Sequence, residues 1–157
     1  MKRLLLYGLI LTVVWVLPIE HLDVAQLQPV EVIAIYPQGD RVILTTDTGD
    51  IGIGNDAMAA LENMRKTSTA VIYLDTAEFL LFSPGAEREV EALRSELKNK
   101  VKICNVSQPV DLEDAAKYLS VHGDLPCLRQ WQPGQTLPIL TIENSRLIML
   151  KNMEKDT

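Results

Sequence analysis

Three residues in the first half of the chain have the types and spacing of a phosphate-binding turn. Gly52 and Gly54 precede a predicted helix that begins near Ala57, and Asp75 ends the next predicted strand, 21 residues after Gly54. In a dinucleotide-binding fold, such glycines let a pyrophosphate approach the helix N-terminus, and the acid binds the ribose. One hypothesis is therefore a small secreted nucleotide-binding enzyme that uses Gly52, Gly54 and Asp75.

The segment before Gly52 weighs against that hypothesis. A nucleotide-binding strand runs directly into the first glycine, whereas the strand predicted here ends near Thr46. Asp47 and Asp50, which lie in the connection, would repel a phosphate group. A glycine-rich turn without a ligand accounts for the same residues. The sequence favours that simpler interpretation and keeps the nucleotide site as the alternative.

Metal and nucleophile sites have less support. His21 and His122 are the only histidines, and neither Cys-x-x-Cys nor His-x-x-x-His spacing occurs. Cys104 lies in an apolar predicted strand, where a buried and inert thiol is expected. The acidic residues are scattered, so no carboxylate pair stands out. We therefore predict no catalytic residues, no metal site and no cofactor, and a protein that is not an enzyme.

The N-terminus has the charge and hydropathy pattern of an export signal. Lys2 and Arg3 precede an apolar segment from Leu4 to Ile19, in which 13 of 16 side chains are apolar. Basic residues stay on the cytoplasmic side, so the rest of the chain is predicted to be extracytoplasmic. Sixteen helical residues span about 24 Å against a hydrocarbon core of about 30 Å, which favours a signal peptide. No small-x-small cleavage site follows, and for this reason we favour an uncleaved membrane anchor.

The rest of the chain has the composition of one acidic globular domain. The 157 residues carry a formal charge of −6, and the part after Pro18 holds 13 basic against 21 acidic residues. Such a surface binds phosphate backbones poorly, so we predict no nucleic-acid partner. The length fits one domain. We assign residues 1–27 to a signal or anchor and its linker, and residues 28–157 to a single extracytoplasmic domain.

Apolar periodicity predicts the elements of this domain. We expect strands over 30–36, 41–46, 69–74, 78–82, 101–106, 139–142 and 146–150, and helices over 57–64, 84–97 and 112–119. Ser83 and Pro84 are expected to begin the second helix, and the glycines of residues 48–54 to interrupt regular structure. Hairpins give antiparallel neighbours and crossover helices give parallel ones. The order therefore predicts an α+β fold, a mixed β-sheet with about three packed helices, preceded by an N-terminal membrane or signal helix.

A long predicted loop over residues 122–135 contains two further candidates. Trp131 is a candidate partner contact because interfaces favour aromatic side chains, and it fits equally well as a residue that holds the loop to the core. Cys127 could form a disulfide with Cys104, since the domain is expected to face a non-cytosolic compartment.

In their order along the chain, these segments resemble the N-terminal domain of the Ger(x)C family, the C subunits of spore germinant receptors. Residues 23–30 and 32–35 are similar to the family's linker and first strand, and residues 56–61 to its helix after a Gly/Thr turn. The resemblance continues through residues 80–83, 87–97, 101–106, 114–119 and 146–152. It covers roughly residues 23–152 by the order of features and not by a sharp motif.

The resemblance implies a non-enzymatic role in spore germination or sporulation, because the family offers no catalytic residues to transfer. It implies integral-membrane germinant receptor subunits as partners. It also implies a location at the extracytoplasmic face of a membrane, the spore inner membrane in that family. Attachment through the segment from Leu4 to Ile19 is the prediction from the N-terminal pattern itself.

Overall fold

A computed structural model describes residues 27–122 and 124–150 of the chain. The predicted anchor from Leu4 to Ile19 lies outside the described residues. Within the described ranges, no helix combines the length and the apolar character needed to cross a membrane.

These residues confirm the α+β class, with a mixed sheet and three α-helices. In chain order the elements are β1 (Leu27–Pro29), β2 (Val32–Gln38), β3 (Arg41–Thr46), β4 (Ile51–Gly54), α1 (Ala57–Thr67), β5 (Val71–Tyr73), a 3-10 turn (Leu74–Thr76), β6 (Phe79–Phe82), α2 (Glu87–Leu93), β7 (Lys102–Val106), α3 (Leu112–His122), β8 (Ile139–Glu143) and β9 (Arg146–Leu150).

Seven strands form one sheet in the order β4-β3-β2-β6-β7-β8-β9, and β1 pairs with β5 in a separate two-stranded sheet. The central strands β2, β6, β7 and β8 are parallel, because helices or longer connections separate them along the chain. The outer strands β3, β4 and β9 join through antiparallel pairs. The β8–β9 turn uses Asn144 and Ser145, both with positive φ, as a tight two-residue hairpin requires.

Each face of the sheet carries its own core, because successive side chains of a strand point to opposite faces. One face packs against α1, α2 and the loop after α3, with buried residues Ile33, Ile35, Leu44, Leu61, Met64, Leu80, Phe82, Val90, Leu93, Ile103 and Trp131. The other face packs against α3, with buried residues Val32, Ala34, Phe79, Leu81, Cys104, Val106, Leu112, Ala115, Leu119 and Leu140. We refer to these as the α1 face and the α3 face.

Both sheet edges are partly closed by a helix side chain. The amide oxygen of Asn63 on α1 accepts a 3.0 Å hydrogen bond from the backbone N–H of Ile53 in β4. The hydroxyl of Tyr118 on α3 accepts a 3.0 Å bond from the backbone N–H of Met149 in β9. Because unpaired edge groups invite pairing with other chains, these two contacts reduce the available edge.

The predicted starts of the first and third helices are confirmed, and the predicted start of the second is wrong. Asp56 caps α1 and Asp111 caps α3, each accepting a bond from the backbone N–H three residues later, at Ala59 and Asp114. The second helix begins at Glu87 and not at Ser83–Pro84. Gly85 has φ near +93°, and this left-handed residue separates the Ser83 turn from the helix.

Two strands were not predicted. Leu27–Pro29 forms β1 where only a linker was expected, and Ile51–Gly54 forms β4 where the glycines were expected to interrupt regular structure. β4 pairs in register with β3, so the glycines occupy alternate positions on one side of a real strand. Glycine is required at those positions because β4 packs closely against α1.

Candidate functional site

The glycines of the nucleotide hypothesis make room for a helix. A Cβ atom on Gly52 would overlap the backbone carbonyl of Ala60, and one on Gly54 would overlap the backbone nitrogen of Ala60. Only residues without a side chain therefore let β4 lie against α1 at this distance. The space that a pyrophosphate would need is occupied by the backbone of α1.

The N-terminus of α1 already has two carboxylate partners. Asp56 accepts a 2.7 Å hydrogen bond from the N–H of Ala59, and Glu89 of α2 accepts a 2.7 Å bond from the N–H of Ala57. Two negative charges at the helix N-terminus repel an anionic ligand there. Asp75 lies in the 3-10 turn, where its carboxylate is 3.4 Å from Nζ of Lys98. The geometry thus gives all three residues of the hypothesis a structural role.

Trp131 is a core residue and not a partner contact. Its side chain is 1% exposed, and its ring meets Phe82 edge to face at 5.7 Å between centroids. Arg94 lies over the ring at 5.7 Å and donates a 3.1 Å bond to the backbone carbonyl of Trp131. The expectation of a partner contact is therefore corrected, because a side chain buried this completely has no surface to offer a partner.

Cys104 and Cys127 are both free thiols in the structure. Cys104 is buried in the α3-face core, and its burial raises the pKa of the thiol to about 12. Cys127 is half-buried, in an isolated antiparallel bridge opposite Lys102 at the start of β7. Among the described residues, no group of three or more His, Cys, Asp or Glu side chains could hold a metal ion.

The described part of the chain has an open groove of about 670 Å³ on the α3 face, beside the first turn of α3. Its lining residues are Tyr36, Pro37, Gln38, Ile43, Thr45, Thr46, Asp47, Gly49, Asp50, Ile51, Ser83, Ser107, Gln108, Pro109, Val110, Asp111, Leu112 and Glu113. We call it the β3–α3 groove. Ser83 and Ser107 follow β6 and β7, so one end of the groove lies at the carboxyl ends of the parallel strands, a frequent location for ligand sites in such sheets.

The floor of the β3–α3 groove is apolar and exposed. Strand register places Tyr36, Ile43 and Ile53 in one cross-strand row, and Thr45 with Ile51 in the next. α3 covers β2 on this face and leaves the outer strands open, so Ile51 is 55% and Ile53 44% exposed. Contiguous apolar surface of this kind is typical of interaction sites.

The groove walls are acidic. Asp47, Asp50, Asp111 and Glu113 line it, and none of the lining residues is Lys or Arg. Glu113 lies 2.7 Å from Nζ of Lys117, and Asp111 also interacts electrostatically with this lysine. Within the described residues, Asp47 and Asp50 accept hydrogen bonds from neutral groups, the backbone N–H groups of Glu31 and Val32 and the hydroxyl of Thr48.

The hydroxyl of Tyr36 adds a polar group at the groove. The oxygen is buried beside the backbone of Val110, and among the described residues it has no hydrogen-bond partner of acceptable geometry. Burial raises the pKa of Tyr36, so the hydroxyl stays protonated and can act as a donor at neutral pH.

The groove was not predicted from the sequence, although one signal pointed to it. The alternation Ile51-Gly52-Ile53-Gly54 has the period of a strand with one apolar side, but the glycines were interpreted as a break. Comparison of the chain with protein-family models, with curated proteins and with solved structures finds no match.

Proposed function

We propose that this chain is a non-enzymatic, membrane-associated interaction protein on the extracytoplasmic side, with integral-membrane partners and a role in spore germination or sporulation. The observation that carries the proposal is the β3–α3 groove, an open surface with an apolar floor. Isolated exposed apolar residues are common on proteins, whereas a contiguous strip beside a groove is characteristic of binding surfaces. The germination context comes from the ordered resemblance to the Ger(x)C domain.

The alternative, a secreted nucleotide-binding enzyme, loses its main support. Gly52 and Gly54 are explained by helix packing, and the amides of the α1 N-terminus are bonded to Asp56 and Glu89. A dinucleotide would have to displace both carboxylates and separate β4 from α1. The interaction proposal requires no such rearrangement, because the β3–α3 groove is open in the structure.

Membrane association is proposed through the segment from Leu4 to Ile19. A helix slightly shorter than the bilayer can still span it by local thinning, at a cost of fractions of a kcal/mol per Å. Burial of 13 apolar side chains, at roughly 1.5 kcal/mol or more for each large one, outweighs that cost. N-terminal sequencing of protein from native membranes tests the anchor. A mature chain starting near Val24 or Gln26 in the soluble fraction would contradict it.

The interaction proposal is tested by photo-crosslinking in native membranes. A benzophenone amino acid at Ile51, in the groove, is compared with one at Val121, which is 77% exposed at the end of α3. We expect the Ile51 variant to crosslink to an integral-membrane protein identified by mass spectrometry, and deletion of the gene to impair germination. Normal germination in the deletion strain, with no membrane protein crosslinked at any surface position, would contradict the proposal.

A further inference from the structure

We infer that the β3–α3 groove binds an extended segment of a partner protein in which Lys or Arg alternates with apolar side chains. The inference rests on the proposed interaction function and names the chemistry of the partner at the same site. Two features of the groove carry it: the shape of its floor and the charge of its walls.

The shape of the floor favours a polypeptide over a small molecule. Ligand pockets for small molecules enclose most of the ligand surface. This floor instead follows the face of β3 and continues onto the exposed side chains of Ile51 and Ile53 at the sheet margin. Its two cross-strand rows have the spacing of a strand face, which suits alternate side chains of an extended chain laid across them.

The charge of the walls selects a cationic segment. Asp47, Asp50 and Asp111 line a groove that has no lining Lys or Arg, so its walls carry negative charge. Charge complementarity across an interface steers association and rejects partners of the wrong sign. The same carboxylates repel anionic lipid headgroups and nucleic acid. A second copy of this chain fits poorly in a symmetric contact, because these acids would meet each other.

The test uses the full chain in uncharged detergent micelles and two labelled peptides of seven residues, one alternating Lys and Val and the other Glu and Val. Fluorescence anisotropy should show saturable binding of the Lys peptide that weakens with added salt, and no binding of the Glu peptide. Empty micelles correct for partitioning. Equal binding of both peptides, or no binding of the Lys peptide, would overturn the inference.

One isosteric double variant, one apolar-to-polar substitution and one matched control locate the binding. The double variant Asp50→Asn, Asp111→Asn keeps side-chain acceptors in place, since Asn caps a helix as well as Asp, and should weaken Lys-peptide binding about tenfold. Ile51→Ser, at a position 55% exposed, should weaken it without unfolding the protein. Glu62→Gln removes one acid from the solvent side of α1 and should leave binding unchanged. Equal losses in all variants would refute the site.

The peptide-binding and crosslinking results together distinguish a failure of the groove assignment from a failure of the proposed interaction function. If crosslinking finds a membrane partner at a surface other than Ile51 and the Lys peptide does not bind, the interaction function stands and the groove assignment falls. If the Lys peptide binds at the groove but deletion leaves germination intact, the groove chemistry stands and the germination role falls.

Discussion

The carboxylate of Glu89 on α2 accepts a 2.7 Å hydrogen bond from the backbone N–H of Ala57, the first residue of α1 and 32 positions earlier in the chain. The first N–H groups of a helix have no partner within the helix, so a carboxylate at this position satisfies one of them and opposes the positive end of the helix dipole. This bond joins the two helices of the α1 face. It also occupies the position that an anionic ligand of α1 would use.

Replacement of Glu89 by Ala should lower the free energy of unfolding by about 1–2 kcal/mol, the usual worth of a charged helix-capping contact. Gln keeps an acceptor oxygen without the charge, so Glu89→Gln should lose about half as much. Glu62→Ala, which removes an exposed ion pair on α1, serves as the control and should change stability little. Urea unfolding followed by circular dichroism measures all three. Equal stability of Glu89→Ala and Glu62→Ala would contradict the structure.

Replacement of Gly52 by Ala should destabilise the protein by about 3 kcal/mol or more, because the new methyl group overlaps the backbone carbonyl of Ala60. Gly49→Ala is the control. Its position is open, so it should cost about 1–2 kcal/mol, from the positive φ alone. Thermal unfolding of the two variants distinguishes these costs. If Gly52→Ala is as stable as Gly49→Ala, β4 does not pack on α1 as described.

The sequence predicts much of this architecture because its signals are local. The cap of α1 at Asp56 and the spacing of Ala57, Ala60, Leu61 and Met64 define a helix without knowledge of its neighbours. β4 could not be predicted in the same way, since Gly52 and Gly54 have low strand propensity and are required only by a helix that follows. Tertiary packing overrides local preference there.

The β3–α3 groove could not be predicted from the sequence for a related reason. Its floor depends on the register between β3 and β4, which places Ile43 beside Ile53. Its acidic wall depends on where Asp111, at the start of α3, lies relative to Asp50. These residues are far apart in the chain, and no local pattern brings them together. Trp131 shows the converse, because an aromatic residue in a long loop has the same local signal whether it packs inward or contacts a partner.

Replacement of Trp131 by Ala should lower the free energy of unfolding by about 3–5 kcal/mol, since it removes a large buried ring that contacts Phe82 and Arg94. Phe at this position fills part of the space, so Trp131→Phe should lose less. Peptide binding at the groove should be the same for Trp131→Phe and the parent chain. A loss of binding without a loss of stability would restore Trp131 as a partner contact.

The ionisation of Glu31 and the ionisation of Glu62 should change the free energy of unfolding in opposite directions as the pH rises. Burial and the nearby carboxylates of Asp47 and Glu78 raise the pKa of Glu31 above its ordinary 4.5. The folded state then binds this proton more tightly than the unfolded state, so ionisation of Glu31 costs stability as the pH rises from about 4.5 through the raised pKa. Glu31→Gln should therefore stabilise the protein at about pH 7 and have little effect at about pH 3.5.

Glu62→Gln is the matched control for that experiment. The hydrogen bond from Lys66 lowers the pKa of Glu62, so its contribution is present at neutral pH and is lost as the pH falls through the lowered pKa. The variant should be slightly less stable than the parent at about pH 7. Urea unfolding at the two pH values measures both effects. Changes of the same sign at neutral pH would contradict the assigned environments.

Thiol reactivity tests the environments of the two cysteines. Burial raises the pKa of Cys104 to about 12, and the thiolate is the reactive form, so Cys104 should not react in the native protein at about pH 8. Half-buried Cys127 should react slowly. One thiol per native chain is therefore expected with a thiol-specific reagent, and two in denaturant. Cys127→Ser should abolish the native reaction, while Cys104→Ser should preserve it.

The same measurement decides whether the two cysteines form a disulfide. Cys127 lies opposite Lys102, two residues before Cys104 on β7, which makes the cysteines diagonal neighbours. Diagonal positions in antiparallel pairs are about 7–8 Å apart, whereas a disulfide requires Cα atoms within about 7 Å. Bridging them would pull the start of β7 toward the loop and disturb the packing of Cys104 under α3. We therefore expect two free thiols in unfolded protein purified without reductant, and a count of zero would show that the loop moves to form the bond.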